Sequence, residues 1–448
     1  MMGARIAVIG AGHVGLVMAA GLAELGHDVT AVDVNDALIV GLRKARVPFH
    51  EAGLVKLVEQ GLGSGRLHFT SAYDEAIPEA DFIFLAVDTP PTLAGAADLR
   101  NIRNATRSIA GTLNGKAPII INKSTSPIGT GETIETLLWR ALGDHHPRPR
   151  LASNPEFLRQ GRAVHDFFNP DRIVVGARNE ADARAVADLY AGLGGTRIFT
   201  DLRTAEMIKY VANSFLATRI SFANEVARLC EGLGVDVEQV IEGIALDPRI
   251  GGHFFQAGVG FGGSCLPKDV AALRYLGQTY GIATPVLSAV QEVNQTQRTS
   301  AVRKLREALG TLEGRSIAVW GVTFKGGTED VRESPAVEII GLLMNEGAEI
   351  RAYDPAFPDG APLRVREALH ETALDAVRGA DALAILTDWD EFATVPLAEV
   401  SRLMRGNVLF DGRNILSRED AEERGFNYVG VGRGRTVADL RPRPLAVA

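Results

Sequence analysis

Gly10, Gly12 and Gly15 fall between a short β-branched run, ARIAVIG (4–10), and an apolar-periodic stretch, HVGLVMAAGLAELG (13–26), which Gly26 closes. The run DVTAVDV (28–34) then returns to strand spacing. Strand, helix and strand in so short a span require parallel strands joined by a crossover, so the chain must build a sheet with helices on its faces. In that setting the glycines allow a tight turn and bring a pyrophosphate close to the helix N-terminus, whose amides and dipole favour anions. Asp33 ends the second strand, where a carboxylate accepts hydrogen bonds from a ribose and repels a 2′-phosphate. The expected ligand is a dinucleotide, NAD rather than NADP.

Four more strand-like runs follow: DFIFLAV (81–87), APIIINKST (117–125), RLASNP (150–155) and DRIVVGA (171–177), with helix-length segments between them. This alternation predicts a doubly wound, NAD-binding sheet over residues 1–200. The same grammar returns in SIAVWG (316–321), SPAVEIIGLLMNEG (334–347), AEIRAYDP (348–355) and ADALAILT (380–387), which predicts a second Rossmann-like domain over 311–440. Residues 204–234 are apolar-periodic, free of proline and ended by glycines, too long for a crossover. They read as a connecting helix in a helical middle domain, 201–310, offering a face on which a second copy could dock. The expected fold is α/β, with two Rossmann-like doubly wound parallel sheets joined by a long central helix and a helical middle domain. The Arg- and Pro-rich end from Arg433 is expected to be unstructured, leaving a flexible tail at 441–448.

A net charge of −8 argues against nucleic-acid and anionic-membrane binding, which need clustered cations. The early apolar run carries Glu24 and no cleavage-like break, and no uninterrupted apolar run reaches the roughly 18 residues of a membrane span, so a cytoplasmic protein is expected. Two cysteines, Cys230 and Cys265, cannot make a disulfide framework and suit a reducing compartment. Cys230 lies on the apolar stripe of the long helix and reads as core. Cys265 lies in GVGFGGSCLPKD (258–269), where Pro267 fits the first turn of a helix and Asp269 falls in that turn. A thiolate placed just before a helix N-terminus and near Lys268 is stabilised, as a nucleophile requires. The glycines ahead of it are expected to let a substrate approach the backbone.

Lys209 and Asn213, four apart, share one helix face. Buried, they would donate to a developing oxyanion; exposed, they would be a solvated lysine and a cap-like asparagine. Glu156, in SNPEF, is either an acid–base group or a turn residue. Lys325 and Arg332 follow the first strand of the second sheet, where doubly wound sheets bind ligands, so a second nucleotide-type ligand competes with a degenerate structural repeat. Asp144, His145 and His146 fall in a polar loop as solvated groups, and no metal site is expected.

With these residues in view, the chain resembles the UDP-glucose/GDP-mannose dehydrogenase family. The resemblance runs through GAGHVG, VDTP, STSPIGT, NPEFLRQG, NPDRIVVG, AEMIKYVANSFLATRISFANE, DPRIG, GFGGSCLPKD, GVTFKGGTEDVRESP, ILTDWDEF and DGRN, in order over nearly the whole length. It implies oxidation of the C6 hydroxymethyl of a nucleotide sugar to a carboxylate, with two NAD and one water, UDP-glucose being the expected sugar. By the same resemblance Cys265 would attack the intermediate aldehyde and pass through a thiohemiacetal to a thioester. Lys209 and Asn213 would steady oxyanions, Asp269 would act as base through a water that Thr125 helps to hold, and Glu156 would assist hydrolysis. NAD would also meet Val14, Thr89, Thr125, Gln160, Lys268 and Arg332. The uridine sugar would be held by Glu156, Lys209, Asn213, Arg249 from a neighbouring subunit, Phe254, Phe255, Gln256, Ala257, Gly258, Gly262, Lys325 and Arg413. An arginine supplied across an interface implies a homodimer or a higher oligomer.

Four positions depart from the family's pattern: Gln160 replaces a usual glutamate, His13 a common tyrosine and Leu38 a basic residue, and Leu266 stands where the UDP-glucose branch commonly has Phe. A GDP-mannose or UDP-N-acetyl-hexosamine dehydrogenase is the nearer alternative. A two-electron dehydrogenase that uses no thiol and a non-catalytic nucleotide-sugar sensor are the remoter ones.

Overall fold

The computed structural model describes residues 3–92, 94–143, 147 and 149–434. Asp144, His145, His146 and the tail 441–448 lie outside the described residues. The chain separates into two compact units, residues 1–212 with 271–281, and residues 213–270 with 282–448.

In the first unit β1 (Arg5–Ile9), β2 (Asp28–Val32), β3 (Leu67–Thr70), β4 (Phe82–Leu85), β5 (Ile119–Asn122), β6 (Arg150–Ser153), β7 (Arg172–Ala177) and β8 (Thr196–Thr200) form one sheet in the order 3-2-1-4-5-6-7-8. The central strands are apolar and buried along their length because helices cover both faces. Helix His13–Glu24 packs its Leu16, Met18 and Leu22 on one face; Ile102, Ile109, Ile134 and Leu138 line the other. The sheet is parallel from β3 to β6, but β6 and β7 pair antiparallel. A parallel neighbour would need a crossover helix, and the segment between these strands holds only the six-residue helix Ala163–Phe168. Strand β8 carried no recognisable run because it is a half-exposed edge.

The second unit holds β9 (Ser316–Trp320), β10 (Glu349–Tyr353), β11 (Ala382–Ile385), β12 (Val408–Asp411) and β13 (Asn427–Gly430), all parallel, in the order 10-9-11-12-13. Both sheets therefore reverse strand order beside their first strand, at β1/β4 and at β9/β11, the places where such sheets bind ligands.

The long helix spans Leu202–Leu233, 32 residues, or about 48 Å at the α-helical rise. It contributes residues to both units. Cys230 is buried in the apolar core of the second unit. No helix of the described residues is long and apolar enough to cross a membrane. Order extends further than the composition of the C-terminal segment suggests: Arg433 Nε lies 3.0 Å from Asp236 Oδ2, so this arginine is fixed by a carboxylate.

Candidate active site

The three glycines after β1 do three different things. Gly10 has φ +100°, and a Cβ there would stand 2.5 Å from Ala86 O at the end of β4. At Gly15 a Cβ would stand 1.9 Å from Gly10 O, so this glycine lets the helix start against the turn. A Cβ on Gly12 would meet nothing of the protein within 4 Å. The surrounding protein thus leaves room for a side chain at Gly12, and the same open space fits a pyrophosphate lying on the backbone. Asp33 is aimed by two amides, Ala11 N donating to Oδ2 at 2.9 Å and Asn35 N to Oδ1 at 3.0 Å. Thr89 donates to Thr125 O at 2.6 Å, joining the loops after β4 and β5, while Val14 and Gln160 are half-buried. These residues fit NAD.

A prediction separates the glycines. Gly12→Ala should weaken NAD binding about tenfold or more, because its methyl group occupies the ligand's place, and should leave the melting temperature unchanged. Gly15→Ala should lose about 1–3 kcal/mol or more of stability through overpacking. Calorimetric titration with NAD and thermal melts of the two variants check both halves.

His13 follows Gly12 and stacks on Phe49, ring centroids 4.6 Å apart. Its Nε2 lies 2.9 Å from Glu51 Oε2, and Glu51 also accepts from Gly161 N and Ala163 N at 2.8 Å each. The carboxylate ties the glycine turn to the loop that carries Gln160.

Deeper in the first unit Lys209 is 4% and Glu156 7% exposed, with Lys209 Nζ 2.9 Å from Glu156 Oε1. Neither is a solvated surface group. Burial alone would push the Glu156 carboxyl up, but the Lys209 ammonium and the Leu158 amide, donating at 2.6 Å, hold it below its ordinary value. Three residues before Lys209, Glu206 accepts from Gly129 N at 2.7 Å and Gly131 N at 2.8 Å, capping helix Thr130–Leu142, with its own carboxyl pushed up to about 7 by burial.

In the second unit Cys265 stands exposed immediately before helix Leu266–Thr279, its Sγ 3.7 Å from Ser264 Oγ. Asp269 N donates to Cys265 O at 2.9 Å. The Asp269 carboxylate, 1% exposed, accepts from Lys268 Nζ at 2.5 Å and from Asn213 Nδ2 at 2.6 Å. The thiol therefore sits at a helix start whose first turn is braced by a cation, an anion and an amide. The glycines ahead of it are hemmed in by the chain itself. A Cβ would stand 2.6 Å from Asn294 Oδ1 at Gly260, 2.1 Å from Glu333 O at Gly262, and 2.7 Å from the Phe324 ring at Gly263.

Around the second sheet's reversal point, Arg413 donates to Leu386 O at 2.8 Å, Phe324 O at 3.1 Å and Gly260 O at 3.3 Å. Three carbonyls thus solvate the guanidinium, and the Asp388 and Asp411 carboxylates lie in its field. Lys325 lies over the Phe324 ring, and Arg332 pairs with Asp330. Gly258 N donates to Asn224 Oδ1 at 2.8 Å, Phe255 is capped by the Arg219 guanidinium, and Phe254 takes a left-handed φ of +60°. Ala257 is buried and Gln256 exposed in the same loop. Arg249 is 88% exposed and pairs only with its neighbour Asp247 among the described contacts.

The second sheet repeats the first almost bond for bond. Gly10 N donates to Val32 O and Gly321 N to Tyr353 O, each at 2.8 Å. The counterpart of Asp33 is Asp354, which is buried and already accepts from Val322 N, Thr323 N, Thr323 Oγ1 and Trp389 Nε1. Those four bonds fall on Oδ2, Oδ1 accepts from Ala356 N at 3.0 Å, and the side chain is fully buried where Asp33 is half-buried. The second sheet thus keeps Gly321 and Asp354 where the first has Gly10 and Asp33, and adds the cations Arg413 and Lys325 nearby. Lys123, Glu51, Glu206 and Asp354 escaped sequence reasoning; only Asp354 had a signal, since AYDP repeats the position of VDVN.

Three family models match in order: the NAD binding domain of the UDP-glucose/GDP-mannose dehydrogenase family over residues 4–194, its central domain over 203–296 and its UDP binding domain over 318–418. A UDP-glucose 6-dehydrogenase of Bacillus subtilis is 41% identical over 96% of this chain and 93% of that protein. One from Pseudomonas aeruginosa is 40% identical over 96% and 98%. Among solved structures, a UDP-glucose dehydrogenase from Pyrobaculum islandicum superposes with a TM-score of 0.90 at 38% identity, covering 96% of this chain and 98% of that one. A UDP-D-ManNAc dehydrogenase from Pyrococcus horikoshii gives 0.86 at 30%, covering 96% and 100%.

Proposed function

Since the chain belongs to the UDP-glucose/GDP-mannose dehydrogenase family, an NAD-dependent dehydrogenase family, we propose that it oxidises UDP-glucose at C6 to UDP-glucuronate through a Cys265 thioester. The observation that carries this reading is an exposed thiol at a helix start whose first turn holds the part-buried Lys268 and the buried Asp269, the latter bonded to the buried Asn213 of the long helix. NAD, held by Gly12, Asp33 and Thr89, supplies the hydride acceptor for each of two oxidations. Cys265 Sγ, as thiolate, adds to the aldehyde carbon of the half-oxidised sugar, and the carbonyl oxygen becomes the hydroxyl of a thiohemiacetal. Departure of a hydride from that carbon and of the hydroxyl proton leaves a thioester. Water then breaks the carbon–sulfur bond, giving the carboxylate and returning the thiol.

Lys209, a buried cation, and the amide of Asn213 would serve this sequence by steadying the oxyanions as they form. Asp269, already braced by two donors, takes a proton through a water positioned with Thr125, and ionised Glu156 assists hydrolysis. To the second sheet we assign the uridine nucleotide, whose phosphates Arg413 and Lys325 would answer and whose sugar the loop 254–258 and Gly262 would hold; the family resemblance gives Arg332 and Lys268 to NAD.

The active form is a homodimer or a higher homo-oligomer. Val211, Phe215, Phe222 and Leu229, spaced by four and seven, leave an exposed apolar stripe along the long helix that a second copy would cover, and the exposed Arg249 would then reach a neighbour's sugar. Two cysteines and no disulfide framework suit a reducing compartment, and the cytoplasm is where the enzyme would work.

The test is NADH formation with limiting UDP-glucose, GDP-mannose and UDP-N-acetyl-hexosamines in parallel. Two NADH per UDP-glucose, with the others slow, is the expected result. One NADH per sugar would remove the thioester, and a preference for GDP-mannose would mean that Leu266, which opens the helix after Cys265, governs the choice of sugar.

A further inference from the structure

At the end of β5 the chain buries a lysine that no step above uses. Lys123 is 7% exposed, and its Nζ donates to Asn154 Oδ1 at 2.9 Å and lies 3.4 Å from Tyr190 Oη and 5.6 Å from the centre of the Tyr190 ring. The same Asn154 oxygen accepts from Tyr190 Oη at 2.6 Å, while Asn154 Nδ2 donates to Val174 O on β7 at 2.7 Å and its backbone amide to Asn122 O at 2.9 Å. Asn154 is thereby fixed from four directions, and it starts the turn whose third residue is Glu156.

A buried cation that is bonded only to neutral groups is expensive, and the usual response is to lose the proton. Burial does push Lys123 down, to about 7, with the Glu156 carboxylate opposing the fall and the Lys209 charge adding to it, so the ammonium charge is kept on the acid side of that value. Glu156 in turn is held down by Lys123 as well as by Lys209. One carboxylate thus lies in the field of two buried lysines, of which only Lys209 touches it.

We propose that Lys123 is a positioning residue for Glu156: through Asn154 it fixes the turn that carries the carboxylate, and through its charge it keeps that carboxylate ionised for the hydrolytic half of the reaction. The inference rests on the role given to Glu156 above and adds a residue that acts through it.

Lys123→Gln keeps a donor for Asn154 and removes the charge. Measured against the wild type, it should lower kcat about tenfold, leave both KM values within about twofold, and move the acid limb of the kcat–pH profile to higher pH, since Glu156 loses a cation that favours its ionised form. Lys123→Arg should restore the wild-type limb, and Tyr190→Phe, which removes a donor to Asn154 but no charge, should leave the limb where it is. The displacement is also read without turnover, in the pH at which thermal stability begins to fall on the acid side, so a mistaken substrate or an inactive preparation counts against the proposed reaction and not against Lys123. An unmoved limb and an unmoved acid-side melt in Lys123→Gln, or an equal displacement in Lys123→Arg, overturns the proposal.

Discussion

Cys265→Ser is expected to reduce release of the uronate by roughly a thousand-fold or more, because a serine hydroxyl lacks the acidity and leaving ability that make a thiolate both nucleophile and acyl carrier. The folded state should hardly notice, since Cys265 is exposed and its sulfur meets Ser264 Oγ at the long distance of 3.7 Å. Melting temperature and the Kd values for NAD and UDP-glucose should therefore stay near those of the wild type. Counting NADH against limiting sugar, with mass spectrometry of the protein for a covalent adduct, reads the outcome. Full turnover with two NADH per sugar in the serine variant would remove the thioester route altogether.

Lys209→Met should be the most damaging single change to stability. It leaves Glu156 buried without its closest cation, and breaking a buried ion pair from one side costs about 3–5 kcal/mol. The loss depends on pH with a definite sign. In the wild type Glu156 has a lowered pKa, so its contribution is present above the ordinary carboxylate range and is lost as pH falls through the folded value. In the variant burial acts with less opposition and raises that pKa, so the gap between the two proteins should be widest near neutrality and narrow toward acid. Melts from pH 4 to 8 check this, and the double change Lys209→Met with Glu156→Leu should recover much of the stability and none of the activity. A Lys209→Met protein as stable as the wild type at neutral pH would show that the pair is not buried as described.

Most of the sheet architecture was legible, for a simple reason. Strands buried on both faces must be runs of Val, Ile, Ala and Phe, and β1, β4, β5, β9 and β11 are such runs. Strand β8 was not, because an edge strand with a solvated face carries TRIFT rather than an apolar run. The antiparallel turn-back at β7 was also hidden, since it depends on the shortness of the helix before it and not on the strand's own residues. In the site, Cys265 and the Gly10, Gly12, Gly15 pattern announced themselves by rarity and spacing. The burial of Lys209, Glu156 and Lys123 did not, because no local pattern distinguishes a lysine with a buried acceptor from one in water. The glycines before Cys265 were visible, but their cause was not: Asn294, Phe324 and Glu333 are remote in sequence and reach them only in the fold.

Asp354 has a consequence for how this molecule behaves among competing metabolites. Its Oδ2 is taken by the amides of Val322 and Thr323, the Thr323 hydroxyl and the Trp389 indole and its Oδ1 by the Ala356 amide, and the side chain is fully buried, so this acid is not expected to reach the ribose of an adenine nucleotide. A surplus of oxidised cofactor would then find no second harbour on this sheet, and the sugar nucleotide would be spared a rival from within its own reaction.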